Sequence, residues 1–385
     1  MNSVHLVYLG YHYDEGLKNS RALLDSYRTI SPWCEAVRRS GATTVTVVQR
    51  FHAEEEFEKD GVSYLFVNDG RPAALKPWRN LTRLHSLVAS LHPDIVHVNG
   101  GTFHLRRLRK KLPSETAVVW QHHGGLPSSA VKRIGYRFAV RGLDGLLFAA
   151  EELAGQWRDA GIVNSRMALH QVMEGSSKFI PQPVERARES LGLRGSPIFL
   201  WVGRLNANKD PVTIVRGFSE ICRAMTDAHL YMIFHEDGLL GEVRKTLASL
   251  GLSHRVHLVG KVEHRQLGQW HSAADFFVLG SHQEGSGFAL LEALACGAIP
   301  LVTDIPSFRC ITGNGAIGAL WCAGDPDSFA RAARAAQLAR ASRTSVRSFF
   351  EMKWSYDEIG KSAVDAYRQA IIRRRRSIDS GNRLS

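Results

Sequence analysis

The sequence predicts an α/β protein of two doubly wound domains, each a mostly parallel sheet covered by helices on both faces, and three observations predict it. Short β-rich runs alternate with helix-length segments along the chain, as they do where helical crossovers join parallel strands. Several runs are apolar at successive rather than alternate positions, which fits strands buried on both faces. At 385 residues the chain exceeds what one hydrophobic core organises, so two domains of about 150–200 residues are expected.

Val4–Leu9 opens the chain as a core strand, followed by Thr43–Gln49, Ser63–Val67, Asp94–Val98, Thr116–Gln121 and Gly145–Ala149. Each is rich in β-branched, leucine or aromatic residues. A second set comprises Pro197–Val202, His229–Phe234, Arg255–Val259, Asp275–Leu279, Ala298–Val302 and Ala319–Trp321. Between the sets, Gly175-Ser176-Ser177-Lys178-Phe179-Ile180-Pro181-Gln182-Pro183 joins two prolines to small polar residues and reads as an interdomain linker. From Trp354 to Arg376 the chain reads as one or two helices without a following strand. The expected division is a first domain over 1–177 and a second over 178–354. Residues 355–385 are expected to form a C-terminal helix that packs back on the first domain and ends in a basic tail. Two such domains are expected to face a central cleft, with ligands at the carboxyl ends of the strands.

Composition narrows the class. An apolar fraction of 44 % and a charged fraction of 22 % belong to an ordinary globular protein rather than a disordered one. No apolar run approaches the ~20 residues of a membrane span. The N-terminus lacks the basic start, apolar middle and small-residue cleavage site of a signal peptide, so a cytoplasmic location is expected. Cys34, Cys222, Cys296, Cys310 and Cys322 show no C-x-x-C pair or metal-ligand spacing and read as incidental thiols in a reducing compartment. The net charge of +12 attracts anionic partners of some kind. Part of it is Arg373-Arg374-Arg375-Arg376, which reads as a solvated helix end suited to the dipole or as attraction to the anionic inner face of a membrane.

The strongest motif is Glu284-Gly285-Ser286-Gly287-Phe288-Ala289-Leu290-Leu291-Glu292-Ala293-Leu294-Ala295-Cys296-Gly297, between the strands at Phe276–Leu279 and Ile299–Val302. A loop of small residues lets backbone approach a ligand, and the following helix N-terminus offers unpaired N–H groups to an anion. If helical throughout, the segment would hold Glu284 and Glu292 roughly 12 Å apart, comparable to the span from ribose to sugar across a diphosphate. Either carboxylate could be an ordinary surface acid, but Glu292 stands in an otherwise apolar helix, where an unpartnered carboxylate is expensive. The second motif is Val202-Gly203-Arg204-Leu205-Asn206-Ala207-Asn208-Lys209-Asp210, after the apolar strand Ile198-Phe199-Leu200-Trp201. Arg204 and Lys209 flank the start of a helix that Asp210 can cap and Pro211 can begin. Two cations at a strand's carboxyl end suit a diphosphate.

A strand ending Gly203-Arg204-Leu205, a lysine five residues after the arginine, and a glutamate pair with seven residues between, about 80 residues on, together resemble the GT-B glycosyltransferases of family 4 (group 1). The likeness covers essentially the whole second half. It includes Val259-Gly260-Lys261-Val262, Ala274-Asp275-Phe276-Phe277-Val278, Ala323-Gly324-Asp325-Pro326-Asp327 and Trp354-Ser355. The resemblance implies two Rossmann-like domains and retaining, metal-independent transfer of a hexosyl group from a UDP- or GDP-sugar, with no separate cofactor and no metal site. It implies that Arg204 and Lys209, next to Gly203, bind the donor diphosphate and stabilise charge on the leaving group. Glu284 would contact sugar hydroxyls, Glu292 the ribose, and Ser286, Gly287, Phe288 and Ala289 would form the phosphate cradle. Lys261 and Val262 would lie against the base. In the first half, Val118-Val119-Trp120-Gln121-His122-His123-Gly124 resembles the family strand that ends in a histidine beside the reacting sugar. His123 is the closer match and His122 the alternative. Asp94-Ile95-Val96-His97-Val98-Asn99-Gly100-Gly101 resembles another strand end, with His97 read as packed between elements.

There are departures. Gly10 is followed by Tyr11-His12-Tyr13-Asp14-Glu15-Gly16 where a glycine pair is frequent, and Pro306-Ser307-Phe308-Arg309 stands where many members carry Pro-Glu. Gly280 replaces a frequent proline. The expected partners are a nucleotide-sugar donor and a glycan or lipid-linked acceptor in cell-surface assembly, not nucleic acid. A GT-B nucleotide-sugar epimerase and a non-catalytic sugar-nucleotide-binding protein are the alternatives. A Rossmann oxidoreductase is disfavoured, since no G-x-G-x-x-G follows the first strand.

Overall fold

A computed structural model describes residues 4–42, 44–76, 79–100, 102–127, 129–339 and 342–382. Thr43 of the second expected strand, Gly101 at the end of the fourth strand's motif and residues 383–385 of the tail lie outside the described residues. The chain divides into two units, Met1–Gly175 with Tyr356–Ser385, and Ser176–Ser355.

The first unit begins β1 (His5–Gly10), α1 (Ser20–Ser26), α2 (Ile30–Arg39), β2 (Thr44–Arg50), β3 (Glu55–Lys59), β4 (Val62–Val67) and α3 (Thr82–Ser90). It continues β5 (Ile95–Asn99), α4 (Leu105–Lys111), β6 (Ala117–Gln121), α5 (Ala130–Ala139), β7 (Gly145–Phe148), α6 (Glu151–Asp159) and β8 (Leu169–Gln171). The second unit carries α7 (Val184–Leu191), β9 (Ile198–Gly203), α8 (Pro211–Ala224), β10 (His229–Phe234), α9 (Leu240–Ser249), β11 (Val256–Gly260) and α10 (His264–Ala273). It ends β12 (Phe276–Leu279), α11 (Phe288–Ala295), β13 (Ile299–Thr303), α12 (Pro306–Thr312), β14 (Ala319–Trp321), α13 (Pro326–Ala339) and α14 (Arg343–Lys353), after which α15 (Tyr356–Asn382) returns to the first unit.

The first sheet runs β3-β4-β2-β1-β5-β6-β7-β8 and the second β11-β10-β9-β12-β13-β14. Neighbouring strands pair parallel throughout, except β3 with β4. In each sheet the chain order reverses once, at β1–β5 and at β9–β12. A doubly wound sheet opens its ligand crevice at that reversal, because the helices on either side leave in opposite directions. The reversals put Gly10 and Asn99 at one crevice, and Gly203 and Leu279 at the other.

Burial explains the apolar runs. Ile198, Phe199, Leu200 and Trp201 of β9 are all buried, since helices cover both sheet faces. Ile198 and Leu200 join Tyr231, Ile233, Leu267 and Trp270 in one core cluster on one of those faces. Several observed strands run one residue past the expected end, onto Gly10, Asn99, Gly203 or Gly260, because ladder bonding needs only backbone. Two strands were not expected from the sequence. β3 reads Glu-Glu-Phe-Glu-Lys, with charges of the kind tolerated at a sheet edge, and Phe57 anchors it by stacking on Tyr64 with ring centres 5.0 Å apart. β8 has only three residues, too few for a periodic pattern.

α15 docks on α2 so closely that a Cβ on Gly360 would stand 2.6 Å from the Ala36 carbonyl oxygen. The Tyr367 hydroxyl lies 2.6 Å from His97 Nδ1, and Arg374 donates to the Ser114 carbonyl at 2.6 Å. Among the described residues no helix is long and apolar enough to cross a membrane.

Candidate functional site

In the second unit, both motifs fall at the β9–β12 reversal. Arg204 follows β9 directly, and its exposed side chain has Nη1 3.7 Å from Glu236 Oε1. The loop beyond it is stitched to the segment after β12 by Asn208. Its amide donates to the Gln283 carbonyl at 3.0 Å and accepts from the Gln283 N–H at 3.1 Å, while His282 N–H reaches the Asn208 carbonyl at 2.9 Å. Gly280 permits this approach, since a Cβ there would press on the carbonyl oxygens of Lys209 and Asp210 at 3.3 Å. The stitch brings Lys209 Nζ into an ion pair with Glu284 Oε1, with 13 % and 15 % of the two side chains exposed.

Asp210 caps α8 by accepting from Thr213 N–H at 3.2 Å, and Pro211 opens the helix. Its backbone is left-handed, φ 42 and ψ 59, a conformation costly for a residue other than glycine and held here by the bonds on either side. Gly287 is also left-handed, φ 56, and leads into α11 without any side-chain cap. A Cβ on Gly287 would meet Ile311 at 3.0 Å and Phe308 at 3.1 Å. The first turn of α11 therefore presents N–H groups and the positive end of the helix dipole beside the Lys209–Glu284 pair. Glu284 precedes α11, so loop geometry rather than helical rise sets its separation from Glu292; the helical spacing expected from the sequence is corrected on this point. The Glu284 carbonyl is held by the Ser307 hydroxyl, and Ser286 is buried.

Glu292 is partnered by two histidines that sequence reasoning missed. His264 Nε2 lies 2.6 Å from Oε1, and His271 Nε2 lies 3.9 Å from Oε2. Burial works to raise the Glu292 carboxyl, but His264 and His271 outweigh it and hold the group down to about 2. The signal was present: the histidines stand seven apart on α10, two turns along one face. Lys261 and Val262 follow β11, two strands away from β9. Lys261 is exposed, and Val262 packs against the core cluster. Arg309 is held beside Asp304 Oδ1 at 2.7 Å.

In the first unit, His123 stands beyond the carboxyl end of β6. Its Nδ1 meets the Glu174 carboxylate, and its Nε2 meets the Asn99 amide oxygen at the end of β5. Burial, then His122 and His12, push the imidazole down to about 4. A neutral ring donates from Nδ1 to Glu174 and accepts at Nε2 once the Asn99 amide is turned. Asn99 lies in the strand-end motif that the sequence singled out, whereas Glu174, three residues past β8, carries no local signal. His122 is buried with Nε2 3.0 Å from the Gly125 carbonyl oxygen and its ring 4.3 Å from Trp157. His97 is buried among Tyr8, Trp33 and Tyr367. Among the described residues, no group of three or more His, Cys, Asp or Glu converges as a metal site requires.

Comparison with known proteins follows this division. The model for glycosyltransferase family 4 matches residues 29–185, and that for glycosyl transferases group 1 matches residues 183–347. D-inositol 3-phosphate glycosyltransferase of Xylanimonas cellulosilytica is 30 % identical over 199 residues, 49 % of this chain and 46 % of that protein. The chain thus spans about half the length of the curated relatives it matches. Sucrose-phosphate synthase of Thermosynechococcus elongatus has a TM-score of 0.71 at 17 % identity, covering 95 % of this chain and 98 % of that one. HepE of Anabaena, in complex with UDP and glucose, has a TM-score of 0.65 at 14 % identity, covering 94 % and 98 %. At such identities these two structures share the fold.

Proposed function

We propose that this chain, which belongs to the glycosyltransferases of group 1 and family 4 on the GT-B fold, moves a hexosyl group from a UDP- or GDP-sugar onto an acceptor, with retention of configuration and without a divalent metal. The observation that carries the reading is the Lys209–Glu284 pair beside the uncapped N-terminus of α11. A lysine, an arginine and helix amides around one strand end form a diphosphate site, and the lysine is already held by a carboxylate of the same site.

The chemistry follows from the charges. A donor diphosphate entering at α11 competes for Lys209 Nζ, and the released Glu284 carboxylate then accepts hydroxyls of the donor sugar. As the glycosidic bond breaks, negative charge grows on the diphosphate, where Lys209, Arg204 and the amides of Ser286, Gly287, Phe288 and Ala289 lie ready to receive it. The two cations supply in this reading what a divalent ion supplies elsewhere. Glu292, kept ionised by His264 and His271, accepts the ribose hydroxyls, and Lys261 and Val262 flank the base. His123 serves the reacting sugar, positioned by Glu174 and Asn99. A glycan or lipid-linked acceptor in cell-surface assembly completes the reading, with the enzyme in the cytoplasm or peripheral at the inner membrane face.

Thermal stability against UDP-, GDP-, ADP- and TDP-sugars, with and without EDTA, tests it. A ligand at ~100 times its dissociation constant adds about 2.7 kcal/mol to the folded state. The expected outcome is a rise in melting temperature with one nucleotide class, unmoved by EDTA and lost in Lys209→Ala. A donor-induced rise that persists in Lys209→Ala removes the diphosphate assignment.

A further inference from the structure

Part of the basic tail lines a cavity. In the first unit, the loops that precede β7 and β8 meet the last turns of α15 around a cavity of 770 Å³. Arg137, Arg141, Arg166, Arg373, Arg374 and Arg376 line it, brought together from α5 and its following loop, the α6–β8 loop and α15. Arg375, on the same helix, turns instead toward a separate cavity with Asp94 and Glu115. The carboxylate in the wall, Asp144, is buried and accepts the Val118 N–H at 2.8 Å, with Arg374 Nη1 4.0 Å away. Among the described residues, Arg137, Arg166, Arg373 and Arg376 have no carboxylate within ion-pairing distance. So many guanidinium groups around one space repel one another, and an anion offering several oxygens relieves that repulsion through forked hydrogen bonds. The volume is that of a small-molecule site.

The cavity lies apart from the chemistry proposed above. Its loops lead into the amino ends of β7 and β8, whereas Asn99 and His123 stand at carboxyl ends of the same sheet, about 13 Å of strand away. We propose that this cavity is a second anion site, one that takes a diphosphate or a phosphorylated headgroup. A lipid source deserves its own arm in the test because Val131, Ile134 and Phe138 of α5, beside Arg137, are exposed by 79 %, 56 % and 44 %.

The experiment uses the full chain and two charge-matched double variants. Arg166→Gln/Arg376→Gln removes two cavity charges, and Arg106→Gln/Arg375→Gln removes two exposed charges outside it. Inorganic pyrophosphate binding is read by calorimetry, and sedimentation is measured with phosphatidylglycerol and with phosphatidylcholine vesicles. The expected result is a binding event weakened about tenfold or more in the cavity pair, kept in the outside pair and kept in Lys209→Ala, which separates it from the donor site. Loss seen with pyrophosphate identifies a free phosphate ligand. Loss seen only with phosphatidylglycerol vesicles identifies a lipid headgroup. Absence of binding to every probe, or equal weakening in the two pairs, overturns the proposal.

Discussion

Glu292→Gln tests the least expected feature of the site, a carboxylate held between two histidines inside an apolar helix. The carboxyl sits at about 2, against 4.5 for an unperturbed glutamate. At about 1.4 kcal/mol per pH unit, that gap corresponds to about 3 kcal/mol of folded-state stabilisation at neutral pH. Glutamine keeps the size of the side chain and one contact with His264, so a loss of about 2–3 kcal/mol is expected. The pH dependence follows from the depressed folded-state value. As pH falls, the unfolded chain takes up the proton first, so the contribution is complete above about pH 5 and declines through 4.5 toward 2. By about pH 3.5 a substantial part of it is gone. Urea unfolding of both proteins from about pH 7 to about pH 3.5 measures the gap, which narrows as the wild type loses its charge. Equal stability at neutral pH, or a gap that stays constant over that range, would refute the reasoning.

Three other outcomes are expected. His123→Ala lowers sugar transfer by about 10²–10⁴-fold while the donor still raises the melting temperature; if that rise disappears as well, His123 belongs to donor binding instead. Arg50→Met leaves Asp69 unpaired at a buried contact of 3.0 Å and frees the Arg71 and Ala73 carbonyls that the guanidinium holds. Urea unfolding then reports a loss of about 3–5 kcal/mol, partly restored by adding Asp69→Asn. Gly287→Ala forces a left-handed alanine against Phe308 and Ile311 and costs about 1–2 kcal/mol. Calorimetry reports this as a lower melting temperature, and no change would remove the conformational reason for glycine at the head of α11.

The alternation of strands and helices, the two-domain division and the two strand-end motifs were legible because each is written in residues adjacent along the chain. An apolar run such as Ile198–Trp201 declares double-sided burial by itself, and Gly287 before an apolar helix declares an open N-terminus. What surrounds the functional side chains was not legible in that way. Lys209 meets Glu284 because β9 and β12 are neighbours at the reversal of the sheet, although the residues are 75 apart. Glu292 is partnered from α10, 28 residues earlier, and His123 from the end of β5 and from beyond β8. The arginines of the tail read as a solvated end or as a contact with an anionic membrane face; only the return of α15 to the first unit sets Arg373, Arg374 and Arg376 against the loops before β7 and β8. Periodicity and capping depend on contacts within a few residues, whereas the charge state of a carboxylate or an imidazole depends on what stands within a few ångströms. Only the packing of strands and helices in the folded chain decides that.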